Sequence, residues 1–158
     1  MLGSRATAED VAQDAFVAAF RSIKSFRGEH FRAWLFRIAT NACYDHLRAS
    51  KRHAGESLDE MLDTAAWQPA SPRPSPEDEA LTSELGREIH RAIALLPVDQ
   101  RLVLLLADVE GLSYEEVAEA TDANVGTVKS RLARARAKVR EHFSSKRELL
   151  PPGLRLDK

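Results

Sequence analysis

A helix predicted near the C-terminus carries side chains suited to DNA. At about 100° per residue, its apolar residues fall on one arc: Val128, Leu132, Ala135 and Val139. The opposite side carries Ser130, Ala133, Arg134 and Ala137, flanked by Lys129, Arg136 and Arg140 on one edge and by Thr127, Arg131 and Lys138 on the other. Small residues let a helix lie deep in the major groove, and basic flanks reach both phosphate backbones. Arg134 is placed to read guanine through a bidentate contact, and Ser130 can bond to several bases.

The simpler alternative to a DNA-binding helix is a basic helix that faces solvent or packs on an acidic partner. The residues that precede the helix decide between these two interpretations. Ser113 and Glu116 have the spacing of a capping box, which predicts a short helix ending near Thr121. A tight turn at 122–124 follows, and Asn124 can cap the basic helix. A short helix, a tight turn and a longer basic helix form the helix-turn-helix pattern, which favours DNA binding.

A second candidate surface lies at residues 24–37. The segment interleaves Phe26, Phe31, Trp34 and Phe36 with Lys24, Arg27, Arg32 and Arg37. Aromatic and basic residues in alternation suit single-stranded nucleic acid, through base stacking and phosphate contact. Because Phe31 and Trp34 also have helical spacing, a core role for both is the favoured interpretation of this segment taken alone.

The sequence gives little support for catalysis, a metal or a cofactor. Its five histidines are scattered, and none has metal-ligand spacing with another ligand residue except His46, which is adjacent to Asp45 rather than facing it. Cys43 lies among apolar neighbours, which indicates a small core residue. No glycine-rich phosphate loop or nucleophile motif occurs. We therefore expect neither an enzyme nor a bound cofactor.

Two further helices are predicted at the N-terminal side. Thr7 is the expected N-cap of the first, whose apolar residues predict one packed face: Val11, Ala12, Ala15, Phe16, Ala19, Phe20 and Ile23. The second is expected to point Phe31, Trp34, Leu35, Ile38, Ala42 and Leu47 inward, and Arg32, Arg37, Asn41, Asp45 and Arg48 outward.

The C-terminal half begins with an apolar stripe and a buried helix. The stripe, which ends at Pro97, consists of Leu81, Leu85, Ile89, Ile93 and Leu96. Residues 98–109 are apolar on nearly all sides, so they predict a central helix that Gly111 terminates. Since no strand pattern appears, the expected fold class is all-α, with two small helical modules.

Four of the seven prolines fall in residues 65–76, which predicts an extended linker between a module at 1–64 and another at 77–158. The net charge of −1 conceals a segregation of charge, because residues 128–158 hold 10 Lys and Arg against 3 Asp and Glu. A basic tail on an acidic body suits nucleic acid. The sequence has no apolar run of membrane-spanning length, and its single cysteine fits a reducing cytoplasm.

These motifs together resemble a known family. Residues 96–141, LPVDQRLVLLLADVEGLSYEEVAEATDANVGTVKSRLARARAKVRE, are similar to region four of bacterial RNA polymerase sigma factors, with the closest similarity to the extracytoplasmic-function (ECF) group. Residues 8–48, AEDVAQDAFVAAFRSIKSFRGEHFRAWLFRIATNACYDHLR, resemble region two of the same group. The resemblance implies a factor that directs core RNA polymerase to promoter DNA and helps to open it, with an anti-sigma factor as a further partner.

The resemblance also implies residue roles. Polymerase would bind Glu9, Asp10, Gln13 and Asp14. The downstream promoter element and its melting would involve Phe26, Arg27, Arg32, Arg37, Asn41, Asp45 and Arg48. The upstream element would contact Thr127, Lys129, Ser130, Arg131 and Arg134, to which the helical wheel adds Arg136 and Lys138.

Members of the family usually have a further helix before the position of Met1, so we expect the first module to lack one helix. The alternative function is a helix-turn-helix regulator that binds duplex DNA without polymerase. A third candidate is a protein-only interaction module, which predicts no salt-dependent DNA binding. The resemblance to region two separates the sigma factor from the plain regulator, which lacks that region.

Overall fold

The computed structural model describes residues 2, 4–28, 30–54 and 84–150. The predicted linker at 65–76, both module boundaries beside it, and Leu81 of the apolar stripe lie outside the described residues. All regular elements within the described ranges are helical, which confirms the all-α fold class.

Helix α1 (Arg5–Ser22) begins one turn earlier than predicted and is followed by a 3-10 turn at Ile23–Ser25. Ser4 has the extended backbone of an N-cap, and its side chain accepts a hydrogen bond from the Thr7 N–H at 3.5 Å. The prediction of Thr7 as the cap is therefore wrong, because Thr7 is already inside the helix.

One strip of α1 is buried, and it is narrower than predicted. Val11, Ala15 and Ala19 are buried, whereas Phe16 and Phe20 are 65% and 81% exposed. The small side chains repeat every four residues and face α2 (Phe31–Ala54), the helix that packs on α1. The two phenylalanines occupy the neighbouring strip, so the prediction that they pack in the same face is wrong.

Helix α2 packs against α1 and also against the helix-turn-helix. Within residues 31–50 of this helix, the most buried residues are Ala33 and Thr40, which belong to neither the inward nor the outward set predicted for it. Phe31 was expected to point inward but is 46% exposed, because it is the first residue of the helix and lies at its edge.

The C-terminal half begins with α3 (Glu84–Ala94) and α4 (Val98–Leu104), which continues as one π-helical turn at Leu105–Val109. Pro97 is the N-cap of α4, so it separates these helices as predicted. Leu102, Val103 and Leu106 are buried, which confirms the central position of this segment. Ile89 is 39% exposed although the stripe predicted its burial, and Glu88 is buried one position earlier.

The helix-turn-helix consists of α5 (Tyr114–Thr121) and α6 (Val125–Ser144). The capping box is confirmed: Glu116 N–H donates to Ser113 Oγ at 3.2 Å, and Ser113 N–H donates to Glu116 Oε2 at 2.8 Å. In the turn, Asp122 adopts the left-handed conformation at φ 50°, which aspartate tolerates better than most residues. A short 3-10 turn, Arg147–Leu149, follows α6.

The helix-turn-helix and α4 share one hydrophobic core. It includes Leu96, Leu106, Val117, Val128 and Leu132, and the partly buried Phe36 and Tyr44 of α2 pack against it. None of the described helices is long and apolar enough to cross a membrane.

Candidate nucleic-acid interface

The start of α6 is fixed by a side-chain cap. Asn124 has an extended backbone, and its Oδ1 accepts a hydrogen bond from the Thr127 N–H at 2.7 Å. Val128, Leu132 and Ala135 are buried at 1% exposure or less, and Val139 is partly buried. The predicted inward arc is therefore confirmed, and the opposite side of α6 faces away from the core.

The outward side of α6 presents one arginine that is available to a ligand. Arg134 is exposed and makes no hydrogen bond or ion pair with any described residue. Ser130, one turn earlier, donates its hydroxyl to Thr127 O at 3.0 Å and keeps its oxygen as an acceptor. Lys138 is exposed, and Lys129 Nζ lies 6.0 Å from the ring centre of Tyr114.

Two of the basic side chains predicted to flank the outward side of α6 form ion pairs with acidic side chains of the same chain. Arg131 Nη2 lies 2.6 Å from Asp99 Oδ2, at the start of α4. Arg136 makes a bidentate pair with Asp108, with distances of 3.0 Å and 2.6 Å. The hydrogen bonds that Arg136 donates to Asp108 raise the pKa of Arg136 above its ordinary value. These pairs fix the orientation of both guanidinium groups along the edges of α6.

Three aromatic side chains cluster where α2 begins. Phe26, Phe31 and Trp34 have ring centres 5.2–5.6 Å apart, and the Phe26 and Phe31 rings meet edge to face. Phe31 is exposed, Phe26 and Trp34 are half-buried, and Arg27 beside them is exposed. An accessible ring next to a basic side chain has the composition that stacks on an unpaired base.

The polar side chains predicted to point outward from α2 divide into two groups. Asn41, Asp45 and Arg48 are exposed, and Arg48 Nη1 lies 3.4 Å from Asp45 Oδ1. Arg32 instead donates to the carbonyl oxygen of Glu110, just after the π-helical turn, and Arg37 lies near Asp122 in the turn of the helix-turn-helix. The structure therefore brings three of these five residues together on an open face and directs the other two to the C-terminal half.

The predicted polymerase-binding residues of α1 share an open surface. Glu9, Asp10, Gln13 and Asp14 are all exposed, and Glu9 Oε1 lies 3.0 Å from Arg5 Nε. Sequence analysis missed the apolar strip beside them, which Phe16, Val17 and Phe20 expose to solvent. Their helical spacing was the available signal, but spacing alone does not show which strip of a helix is covered.

A cleft of about 570 Å³ lies where α2, α4 and α6 meet. Its lining includes Tyr44, Arg48, Asp99, Thr127 and Arg131. Sequence analysis did not single out Tyr44 or Asp99, whose side chains hydrogen-bond at 3.0 Å across 55 positions of the chain. Separations of this size leave no local signal. Among the described residues, no group of three His, Cys, Asp or Glu side chains is arranged to hold a metal ion.

Two family models match the chain. The model of sigma-70 region 2 matches residues 1–53, and that of sigma-70 region 4 matches residues 86–139. The second match contains the whole helix-turn-helix apart from the last residues of α6.

Known proteins that are similar to this chain are named as sigma factors. The ECF RNA polymerase sigma-E factor of Haemophilus influenzae is 42% identical over 138 residues, covering 84% of this chain and 72% of that relative. The ECF RNA polymerase sigma-E factor of Escherichia coli K12 is 39% identical over 131 residues, covering 80% and 69%. The sigma factor RpoE of Bartonella quintana, solved with the anti-sigma factor NepR, is 30% identical, with a TM-score of 0.64 and coverage of 85% and 79%.

Proposed function

The chain belongs to the ECF group of sigma-70 factors, and from this premise we propose that it directs core RNA polymerase to promoters and assists DNA opening. The observation that carries this function is the geometry of α6. A buried arc holds the helix on the core, and Arg134 projects from the opposite side with no partner among the described residues. A helix held this way presents its outward side chains to a major groove.

The upstream promoter element would be bound by α6. Arg134 and Ser130 would contact base edges, because they lie on the side opposite the buried arc. Phosphates would be contacted from the flanks by Thr127, Lys129, Arg131, Arg136 and Lys138. The guanidinium groups of Arg131 and Arg136 would approach DNA in orientations held by Asp99 and Asp108.

The downstream element would be bound by the N-terminal half. The exposed face of α2 supports contacts from Asn41, Asp45 and Arg48, and the aromatic cluster supports capture of an unpaired base by Phe26 and Arg27. Arg32 and Arg37 would join them after leaving their present contacts. Core polymerase would bind the exposed surface of α1 through Glu9, Asp10, Gln13 and Asp14.

As a polymerase subunit, the chain would carry no catalytic activity of its own, since the polymerase supplies the chemistry. We propose that it acts in the cytoplasm, where bacterial polymerase and promoters meet. The solved Bartonella quintana relative is bound to an anti-sigma factor, and we propose that a protein of this class also binds this chain.

Transcription reconstituted from purified parts tests the function. The chain is mixed with core RNA polymerase and a library of genomic fragments, and the transcripts are mapped by their 5′ ends. We expect transcripts from a defined set of fragments that share sequences upstream of the start, and none from core polymerase alone. Arg134→Ala should reduce this set while leaving co-purification with core polymerase unchanged. A chain that binds fragments but neither retains core polymerase nor changes its transcripts would instead be a plain helix-turn-helix regulator.

A further inference from the structure

The outward side of α1 carries a patch of large apolar side chains. Phe16, Val17, Phe20 and Ile23 are between 42% and 81% exposed, and they lie away from the small residues that pack on α2. A single exposed apolar side chain is ordinary, but side chains three and four positions apart on one helix are neighbours. These four therefore form a continuous exposed patch, and such patches mark interaction sites.

The outward residues of α1 have the spacing of a coiled coil. Positions 10, 13, 17, 20 and 24 follow one another in steps of three and four, which places them along one line of the helix, opposite the buried strip. We call this line the α1 seam: Asp10, Gln13, Val17 and Phe20 lie in α1, and Lys24 lies in the 3-10 turn that follows it. The centre of the seam is apolar and its ends are polar, so it fits a second helix with the same spacing.

An antiparallel copy of α1 matches this seam in both shape and charge. When Val17 packs against Phe20 of the second copy, Phe16 comes to lie beside Ile23 on one edge of the pair. Asp14 then lies beside Arg21 of the second copy on the other edge, so opposite charges meet. A parallel copy would instead bring Asp14 beside Glu9, and these like charges would repel.

We propose that a second copy of this chain occupies the α1 seam in an antiparallel two-fold dimer. Asp14 and Arg21 are exposed, and neither forms an ion pair with another described residue, so both are available to the second copy. Because α1 has 18 residues and a length of about 27 Å, the contact is small. We expect a weak dimer, with half of the chain dimeric at about 10–100 µM.

Sedimentation equilibrium of the full chain, over about 1–300 µM, tests the dimer. We expect a monomer–dimer equilibrium, and Phe20→Ser should raise the dissociation constant more than about tenfold, since each dimer loses two apolar side chains. Leu95→Ser removes a similarly exposed apolar side chain from the C-terminal half and should leave the constant unchanged. A monomer at every concentration would overturn the proposal, as would a dimer that Phe20→Ser does not weaken. Circular dichroism checks that each variant keeps its helix content.

Exchange of charges tests the antiparallel register. Asp14→Arg and Arg21→Asp each place two pairs of like charges in a dimer of identical chains, so each variant alone should dimerise about tenfold more weakly. A mixture of the two variants restores opposite charges on both pairs, and its mixed dimer should be about as stable as the native one. Equal weakening of the mixed dimer and the two parent variants would overturn the register.

The dimer covers Gln13 and Asp14, so a second copy and core polymerase would compete for α1. This consequence rests on the proposed function, whereas the dimer itself does not. To test it, Val17→Cys and Phe20→Cys chains, each in a Cys43→Ala background, are mixed and oxidised. The antiparallel register predicts that the mixed disulfide forms in excess, and an excess of disulfides between identical chains would overturn it.

The purified cross-linked dimer is then compared with the same chains after reduction. We expect it to bind core polymerase at least about tenfold more weakly than the reduced chains. Equal binding before and after reduction would overturn the competition for α1. Reduced chains that dimerise but do not bind core polymerase would refute the proposed function and leave the dimer supported.

Discussion

Arg131 of α6 and Asp99 at the start of α4 form an ion pair, with Nη2 and Oδ2 2.6 Å apart. The same carboxylate accepts the hydrogen bond of Tyr44 from α2. Asp99 therefore joins three helices. Burial of the Tyr44 phenol raises its pKa, and the charge of Asp99 and the hydrogen bond to it raise that pKa further. An arginine predicted to contact DNA is thus held by the chain's own acid.

Asp99→Asn should release Arg131 while still offering an oxygen to Tyr44. We expect the slope of log K against log salt concentration for promoter DNA to steepen by about 1, because Arg131 becomes available to one further phosphate. Fluorescence anisotropy of the complex with core polymerase, over a series of salt concentrations, measures this slope. Glu115→Gln removes an exposed acid from α5 and controls for the general loss of negative charge. An unchanged slope in Asp99→Asn would show that Asp99 does not withhold Arg131 from a phosphate.

The helix-turn-helix could be predicted because its signals are local. Ser113 with Glu116, and Asn124 with Thr127, are each three residues apart, and each pair satisfies backbone donors at a helix start. The buried arc of α6 follows from helical periodicity over a single segment. These residues define their element without help from distant parts of the chain.

The remaining features depend on contacts that the sequence order does not show. The bonds of Asp99 to Tyr44 and Arg131 span 55 and 32 positions. Phe16 and Phe20 have the helical spacing of core residues, yet the neighbouring strip of smaller side chains on α1 is the one that faces α2. Periodicity identifies apolar strips, but only the packing partner decides which strip is buried.

Glu88 is buried because three basic residues surround its carboxylate. Lys146 and Arg91 bond to it, and His142 Nε2 lies 2.9 Å from Oε2. The hydrogen bond from Lys146, followed by that from His142, lowers the pKa of Glu88 to about 2. These bonds connect α3 to the end of α6. They explain why Glu88 is buried although the apolar stripe predicted burial of the neighbouring Ile89.

Glu88→Gln should lower the urea midpoint of unfolding at neutral pH. A carboxylate with a lowered folded-state pKa stabilises the fold above its unfolded pKa of about 4.3, and this stabilisation is lost as pH falls toward the folded-state value. The difference between Glu88→Gln and native chain should therefore shrink between about pH 4.5 and pH 2. Urea unfolding followed by circular dichroism measures it, with the exposed Glu141→Gln as control. A difference independent of pH would contradict the role of the charge.

Gly111→Ala should destabilise the connection between the π-helical turn and α5. Gly111 has φ +71°, and a Cβ there would meet no atom within 4 Å, so the cost is conformational rather than steric crowding by neighbours. We expect a loss of about 1–2 kcal/mol in the free energy of unfolding, measured with urea. Gly111→Asn should cost less, because asparagine tolerates the left-handed region. Equal losses for alanine and asparagine would argue against a conformational origin.

Substitutions of Arg134 and Lys138 should distinguish a contact with a base edge from a contact with a phosphate on α6. Both are exposed, but Arg134 lies opposite the buried arc and Lys138 lies on its flank. Arg134→Ala should cost about 1–3 kcal/mol at one base position of the upstream element and relax the preference there. Lys138→Ala should weaken binding to all sequences about equally and reduce the salt slope by about 1, because phosphates carry no sequence information. Binding of the complex with core polymerase to promoters changed at single base pairs measures both. Uniform losses for both variants would mean that Arg134 contacts the phosphate backbone instead of a base edge.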